Sequence, residues 1–164
     1  MANYIFSIKS VKYGTATGTN TMPATGAMTT LPDTVKGSVT IDEGEGTTTK
    51  FWVDQKASPV KSVKTEEGEV MATMSFYDID YSVLAALKGG VGNASGWVPA
   101  TGYSHIEKAL AIETDSGHVF DMYNAHLEAR ITGGLGRDSL FTMELKATPQ
   151  MTLDLAGSYK IRPV

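Results

Sequence analysis

Three histidines, scattered acids and a few serine-lysine and glycine strings are the reactive side chains this sequence offers, and spacing decides what each can do. His118 and His126 fall in one run that reads as a strand. An even separation puts them on one face, but about 26 Å apart at roughly 3.3 Å per residue, too far to share a metal within one chain. His105 has Glu107 in phase and no third ligand close in sequence, short of a zinc donor set. Ser58-Pro59-Val60-Lys61 has the spacing of a serine-lysine acyl-transfer pair, but its proline denies the helical turn on which such a pair sits. In Gly92-Asn93-Ala94-Ser95-Gly96 the serine comes one place late for a nucleophile elbow and follows a helix pattern instead of a strand. Gly90-Val91-Gly92 opens no helix and lacks the lysine of a phosphate loop. Asp42, Glu43 and Glu45 lack the alternating oxygen ligands of a calcium loop and read as a solvated turn. These residues predict a protein that is not an enzyme and holds no cofactor or metal. The best small-ligand chemistry is a sugar platform built from Trp52, Tyr77, Trp97 and Tyr103, although aromatics at strand edges serve equally as packing or interface anchors.

The elements that must position these residues are mostly strands, because apolar residues recur with period two. Tyr4, Phe6 and Ile8 share a face, and Val11 and Tyr13 resume out of phase, which predicts a bulge at Lys9 and Ser10. Val35, Val39 and Ile41 alternate with polar residues. The turn Asp42-Glu43-Gly44-Glu45-Gly46 then predicts a hairpin with Thr47 to Gln55, where Phe51 and Val53 are in phase. Val70, Ala72, Met74 and Phe76 make the clearest strand. The period changes once, after Asp78-Ile79-Asp80: Val83, Leu84 and Leu87 share a helical face over 81–88, Asp80 caps its start, and Gly89 ends it behind Lys88. A helix that short must lie against a sheet. Ile106, Leu110 and Ile112 form a strand ending at Asp115-Ser116-Gly117. His118 to Ile131 then predicts a long strand, a turn spans 132–138, and Ser139 to Ala147 returns as the second arm of a long hairpin with one wet face. Met151, Leu153 and Leu155 alternate in a last strand or two.

Two segments lack periodicity, 14–33 and 89–103, and read as long loops with an assembly role. Their glycine and threonine content predicts that they order only on assembly. The whole chain, 1–164, reads as one mainly β domain, sandwich- or barrel-like, with one short flanking helix. At 164 residues such a domain removes roughly 70% of its extended surface from water, so no staple is needed.

Composition sets further bounds. With no cysteine there are no disulfides, thiolate metal sites or cysteine nucleophiles. No apolar run reaches signal-peptide or membrane-span length, which predicts a soluble protein made without a secretory signal and with no membrane partner. The net charge of -4 is uneven, with nine acids against four lysines in residues 41–80. No basic stripe with interleaved aromatics appears, so tight nucleic-acid binding is not expected.

Two stretches carry a family resemblance. The strand, acidic turn and short helix closing on Gly-Gly, Met74-Ser75-Phe76-Tyr77-Asp78-Ile79-Asp80 through Lys88-Gly89-Gly90, resemble the same passage of phage major tail tube proteins. So does the long hairpin from Tyr123-Asn124-Ala125-His126-Leu127-Glu128-Ala129-Arg130 to Phe141-Thr142-Met143-Glu144-Leu145-Lys146-Ala147-Thr148-Pro149. Together they cover roughly half the chain, as patterns of pleat and turn more than of invariant residues. The resemblance implies a structural virion protein of the tail, made in the host cytoplasm, whose copies form hexameric rings stacked into a hollow tube. Its partners would be other copies of itself, the tape measure, terminator and distal tail proteins, and DNA passing through unbound. On that reading the wet hairpin face, with Asn124, His126, Glu128, Thr142 and Glu144, lines the bore, where a mixed or acidic lining lets phosphate slide. Arg130 and Lys146 share that face. Met22, Met28, Leu31, Asp42, Glu43, Trp97 and Tyr103 would then make contacts between subunits or rings. The competing readings are a monomeric carbohydrate-binding or adhesive β-sandwich, and another virion β protein such as a tail terminator or capsid decoration protein.

Overall fold

A computed structural model describes residues 4–77, 80–134, 136–137, 139–154 and 157–164. Asp78 and Ile79 of the turn before the helix, Leu135 and Asp138 of the hairpin turn, and Leu155 of the last alternating run lie outside the described residues. The chain is mainly β, with one α-helix, and the described strands do not close into a barrel.

The strands are β1 Ile8–Thr15, β2 Thr29–Thr30, β3 Thr40–Glu43, β4 Thr48–Phe51, β5 Lys61–Lys64, β6 Val70–Phe76, β7 Val91–Asn93, β8 Gly96–Val98, β9 Glu107–Thr114, β10 His118–Thr132, β11 Thr142–Pro149 and β12 Tyr159–Pro163. The helix α1, Tyr81–Lys88, lies between β6 and β7. The main sheet runs β2-β1-β9-β10-β11-β6-β3, and β12 pairs with the first part of β10. Two short hairpins stand apart from it, β4-β5 and β7-β8.

Alternation supplies the core. Ala72, Met74 and Phe76 of β6, Leu110 and Ile112 of β9, and Met143, Leu145 and Ala147 of β11 are fully buried on one side of the sheet. Val83, Leu84 and Leu87 of α1 join the same cluster. The helix begins where Asp80 accepts from the Ser82 amide at 2.7 Å and hydroxyl at 2.6 Å. It ends at Gly89, whose φ of 83° is a conformation glycine adopts without strain. Lys88 Nζ donates to the Ala129 carbonyl at 2.8 Å and ties the helix end to β10.

Two bulges decide which way side chains point. In β1 the pairing with β9 slips between Ile8 and Ser10, as the phase change at Lys9 predicts. The second bulge lies in β10, between Met122 and Ala125, where the apolar alternation changes phase. Phe120 and Met122 face the core before it, Ala125 and Leu127 after it. One extra residue swaps the parity of the strand. His118 and His126 therefore lie on opposite faces, not on one as their even separation predicts: His118 borders an apolar cavity with Phe120, while His126 stacks on His105 outside.

Four other expectations are corrected. Tyr4 to Phe6 are exposed and precede the strand, which starts at Ile8. β11 starts at Thr142, three residues later than Ser139, and Phe141 is exposed. The hairpin of β3 with β4 does not form: β3 pairs with β6, and β4 pairs with β5. The Gly-rich acidic stretch is no turn, because the β3-β6 ladder continues outward through it into β4-β5. Gly44, whose amide bonds the Glu69 carbonyl at 2.8 Å, lies so close to the return chain that a Cβ on Gly68 would overlap its carbonyl. These glycines form a narrow waist, with the true turn far beyond at 52–60.

The 89–103 segment is likewise no loop but carries the β7-β8 hairpin, turned at Asn93-Ala94-Ser95-Gly96 and laid against α1. Gly92 permits that approach, since a Cβ there would overlap the Tyr81 carbonyl. The 14–33 segment is held within the subunit as well. Thr29 and Thr30 pair with β1, the Leu31 amide donates to the Val11 carbonyl at 2.8 Å, and the Leu153 amide donates to the Gly18 carbonyl at 3.0 Å.

Candidate functional site

After its bulge β10 turns Asn124, His126, Glu128 and Arg130 outward, and β11 turns out Thr142, Glu144 and Lys146 beside them. The five residues expected to share a wet face, Asn124, His126, Glu128, Thr142 and Glu144, do lie together. Cross-strand register pairs His126 with Thr148, Glu128 with Lys146, Arg130 with Glu144, and Thr132 with Thr142. Opposite charges across the strands fix this face without a net field. Arg130 Nη2 donates to Glu144 Oε2 at 2.8 Å, which holds the guanidinium above its ordinary value. The Thr132 and Thr142 hydroxyls meet at 3.0 Å.

Next to this face is a cluster that sequence spacing missed. The register of β9 against β10 sets Glu107 opposite His126. His105 Nε2 lies 3.0 Å from Glu107 Oε1, and its ring stacks on that of His126 with centroids 4.6 Å apart. Asn124 Nδ2 donates to the other Glu107 oxygen at 3.3 Å. The His105 hydrogen bond, then the Asn124 one, hold the Glu107 carboxyl below its ordinary value against the cost of burial. The phase match of His105 with Glu107 was the available signal; the approach of His126 needed the strand pairing. Among the described residues no group of three or more His, Asp or Glu side chains is arranged to hold a metal ion.

The residues expected at contacts between copies divide into two sets. Asp42 and Glu43 are exposed on β3, the outermost strand of its side of the sheet, and Tyr103 is 89% exposed. Leu31 is a correction: at 5% exposure it belongs to the subunit's own core, because β2 draws the end of the 14–33 segment onto β1. Met22 and Met28 are half-buried, and the Met28 side chain lies close against Gly14. Trp97 is packed against the core, its Nε1 donating to the Gly89 carbonyl at 2.9 Å.

Of the four aromatics of the sugar-platform reading, only Trp97 and Tyr103 come together, at a cavity of about 310 Å³ that His126 and Glu128 also line. Trp52 is at the tip of the β4-β5 hairpin and Tyr77 follows β6. Ser58 and Lys61 also fall on that exposed hairpin.

The sheet has open borders. Beyond β3, β2 and β12 no further strand pairs among the described residues. Large apolar side chains accompany them: Ile41 on β3, Ile161 on β12, Tyr4, Ile5 and Phe6 ahead of β1, and Phe51, Trp52, Val53 and Val60 on the β4-β5 hairpin are all at least 41% exposed. Among the described residues no helix is long and apolar enough to cross a membrane. The chain matches no protein-family model, and no curated protein is similar to it.

Proposed function

We propose that this chain is a structural subunit that assembles with copies of itself into stacked rings, the tail tube of a phage or tail-like particle. One observation carries the reading. Among the described residues the sheet ends in edge strands at β3 and β12, each paired on one side alone, and exposed apolar side chains lie on and around them. Open edges invite pairing with other chains, and a closed ring of identical subunits satisfies them without runaway aggregation. The passages that resemble tail tube proteins fall on β6 through α1 and on the β10-β11 hairpin, and from that resemblance come the hexameric ring, the other tail proteins as partners, and DNA in the bore.

The outer face of β10-β11 is the proposed lining. Its carboxylates Glu128 and Glu144, with Glu107 of the adjoining β9, stand among Arg130 and Lys146, a mixed surface with no run of cations to grip phosphate. DNA would slide past it without a specific footprint.

Negative-stain microscopy of the purified chain tests the proposal. Rings or tubes of uniform diameter are expected, and a monodisperse monomer at high concentration would rule the reading out.

A further inference from the structure

Beyond the glycine waist, β4 and β5 are exposed along their whole length. Among the described residues, the hydrogen bonds of residues 47–66 all stay within this arm. Its end carries Phe51 at 55%, Trp52 at 59% and Val60 at 54% exposure. A lone two-stranded hairpin is marginal in water. Aromatic side chains of this kind bury about 150–250 Å² each once they find a pocket, and they dominate the energetics of the interfaces they enter.

A pocket of the right character lies on the body of the same chain. A cavity of about 690 Å³ opens between residues 5–8, residues 34–41 and the strands β9, β10 and β12. Ile112 and Phe120 belong to its lining, as do Phe6, Val39, Ile41 and Ile161. Its volume is within the roughly 300–1,000 Å³ that preformed binding sites offer.

Charge says which molecule fits. Residues 47–66 carry Lys50, Lys56, Lys61 and Lys64 against Asp54 and Glu66, a net +2 in a chain of net -4, so the rest of the chain is at -6. Around the cavity Asp33 and Asp42 adjoin the lining residues Thr34 and Ile41, and Asp115 accepts from the lining Ser7 hydroxyl at 2.5 Å. Lys36 is in the lining, and Lys9, Lys160 and Arg162 stand beside it, with Lys9 paired to Glu113 and Arg162 to Asp121. A basic, apolar-tipped arm is therefore attracted to the acidic body of another copy and repelled by another arm. Its own cavity is poorly placed, because Ile41 stands on that cavity's wall and on the strand from which the arm runs outward. From Gly46 to Trp52 the arm reaches about 20 Å past the waist.

We propose that the arm tip of one copy, led by Phe51 and Trp52, docks in the apolar cavity of a second copy of this chain. Arm and cavity are different patches on one molecule, so the contact is head-to-tail and passes from copy to copy instead of closing a pair. This rests on the self-assembly reading above and assigns it a contact that sheet-edge pairing does not supply.

The chain has no cysteine, so engineered pairs report cleanly. Trp52→Cys and Ile161→Cys proteins, mixed and mildly oxidised, are expected to form a mixed disulfide dimer well above the level of either variant alone. The double variant is expected to form a ladder of cross-linked multimers. Phe51→Ser/Trp52→Ser is expected to raise the concentration needed for assembly at least about tenfold, the scale of losing a hot spot. If the unsubstituted chain assembles while the serine variant assembles equally well and the mixture gives no cross-link, the arm contact is wrong and the assembly reading stands. An unsubstituted chain that stays monomeric overturns both, and a double variant that closes only on itself places the arm in its own cavity and overturns the contact.

Discussion

Two hairpins of this molecule obey the same backbone pairing and differ in almost everything else. β10-β11 has eight paired positions, with Leu127, Met143 and Leu145 buried beneath it, and β4-β5 has four paired positions and nothing buried on either face. Ladder hydrogen bonds exchange water partners for protein partners and return little net free energy, whereas each buried side chain returns about 1.5–3 kcal/mol. The contrast shows that pairing gives a hairpin its shape and burial gives it its stability. A hairpin without burial is a part of the molecule still awaiting its second surface.

That comparison can be broken or sharpened by substitution, starting with the largest effect. Leu145→Ala, at a fully buried position of β11, should cost about 3 kcal/mol in urea unfolding. A loss under about 1 kcal/mol would mean that the long hairpin is not welded to the core. Arg162→Ala comes next. It removes the cation 2.5 Å from Asp121 Oδ2, in a carboxylate that is 2% exposed and whose Oδ1 has no hydrogen-bond partner among the described residues. Breaking a fully buried pair costs 3–5 kcal/mol, and since this guanidinium is 42% exposed a loss of about 2 kcal/mol is expected, with β12 loosening first in hydrogen exchange.

Acid should act next, and on the body alone. Glu107 and Glu113 are held below their ordinary value of 4.5 by His105 and by Lys9 respectively, and Asp80 below 3.8 by Ser82. Their folded values lie under the unfolded ones. The stability they contribute is therefore complete above about pH 4.5 and is lost as pH falls through the lowered values. Unfolding followed from pH 6 to pH 3 should show stability falling below pH 4.5, and Glu107→Gln should flatten that fall. The smallest effect belongs to the arm. Phe51→Ser/Trp52→Ser should leave unfolding of the free subunit unchanged within about 0.5 kcal/mol, whereas the proposed contact predicts weaker assembly. A large loss would mean that the tip is packed within its own chain.

Much of this architecture was legible in the sequence, and the failures have a common cause. The helix 81–88, its Asp80 cap and its Gly89 end are local events written within a few residues, and they stand as expected. The β6, β9 and β10 strands and the shared polar face of Asn124, His126 and Glu128 follow from alternation. Partner choice is what alternation cannot convey. Asp42 to Gly46 has every turn-forming residue, yet the chain runs straight through it, because its glycines serve a close crossing of two backbones. The Gly-rich 89–103 segment is too short in apolar period to read as strands, yet it folds because α1 gives it a surface. The His105-His126 stack depends on register between strands far apart in sequence, and Leu31 becomes core only once β2 finds β1.

The single extra residue in β10 also governs what lengths this chain tolerates. Insertions at the hairpin end, where residues 133–134, 136–137 and 139–141 are exposed, should leave both strands in register. Removing one residue at 123–124 would instead slide every later side chain of the strand by one position. Leu127 would turn to the outside, and His126 and Glu128 would be driven in among Met143 and Leu145. A one-residue deletion there is a wholesale exchange of outer face for interior, so length variation should be forbidden at that point and permitted a few residues further along.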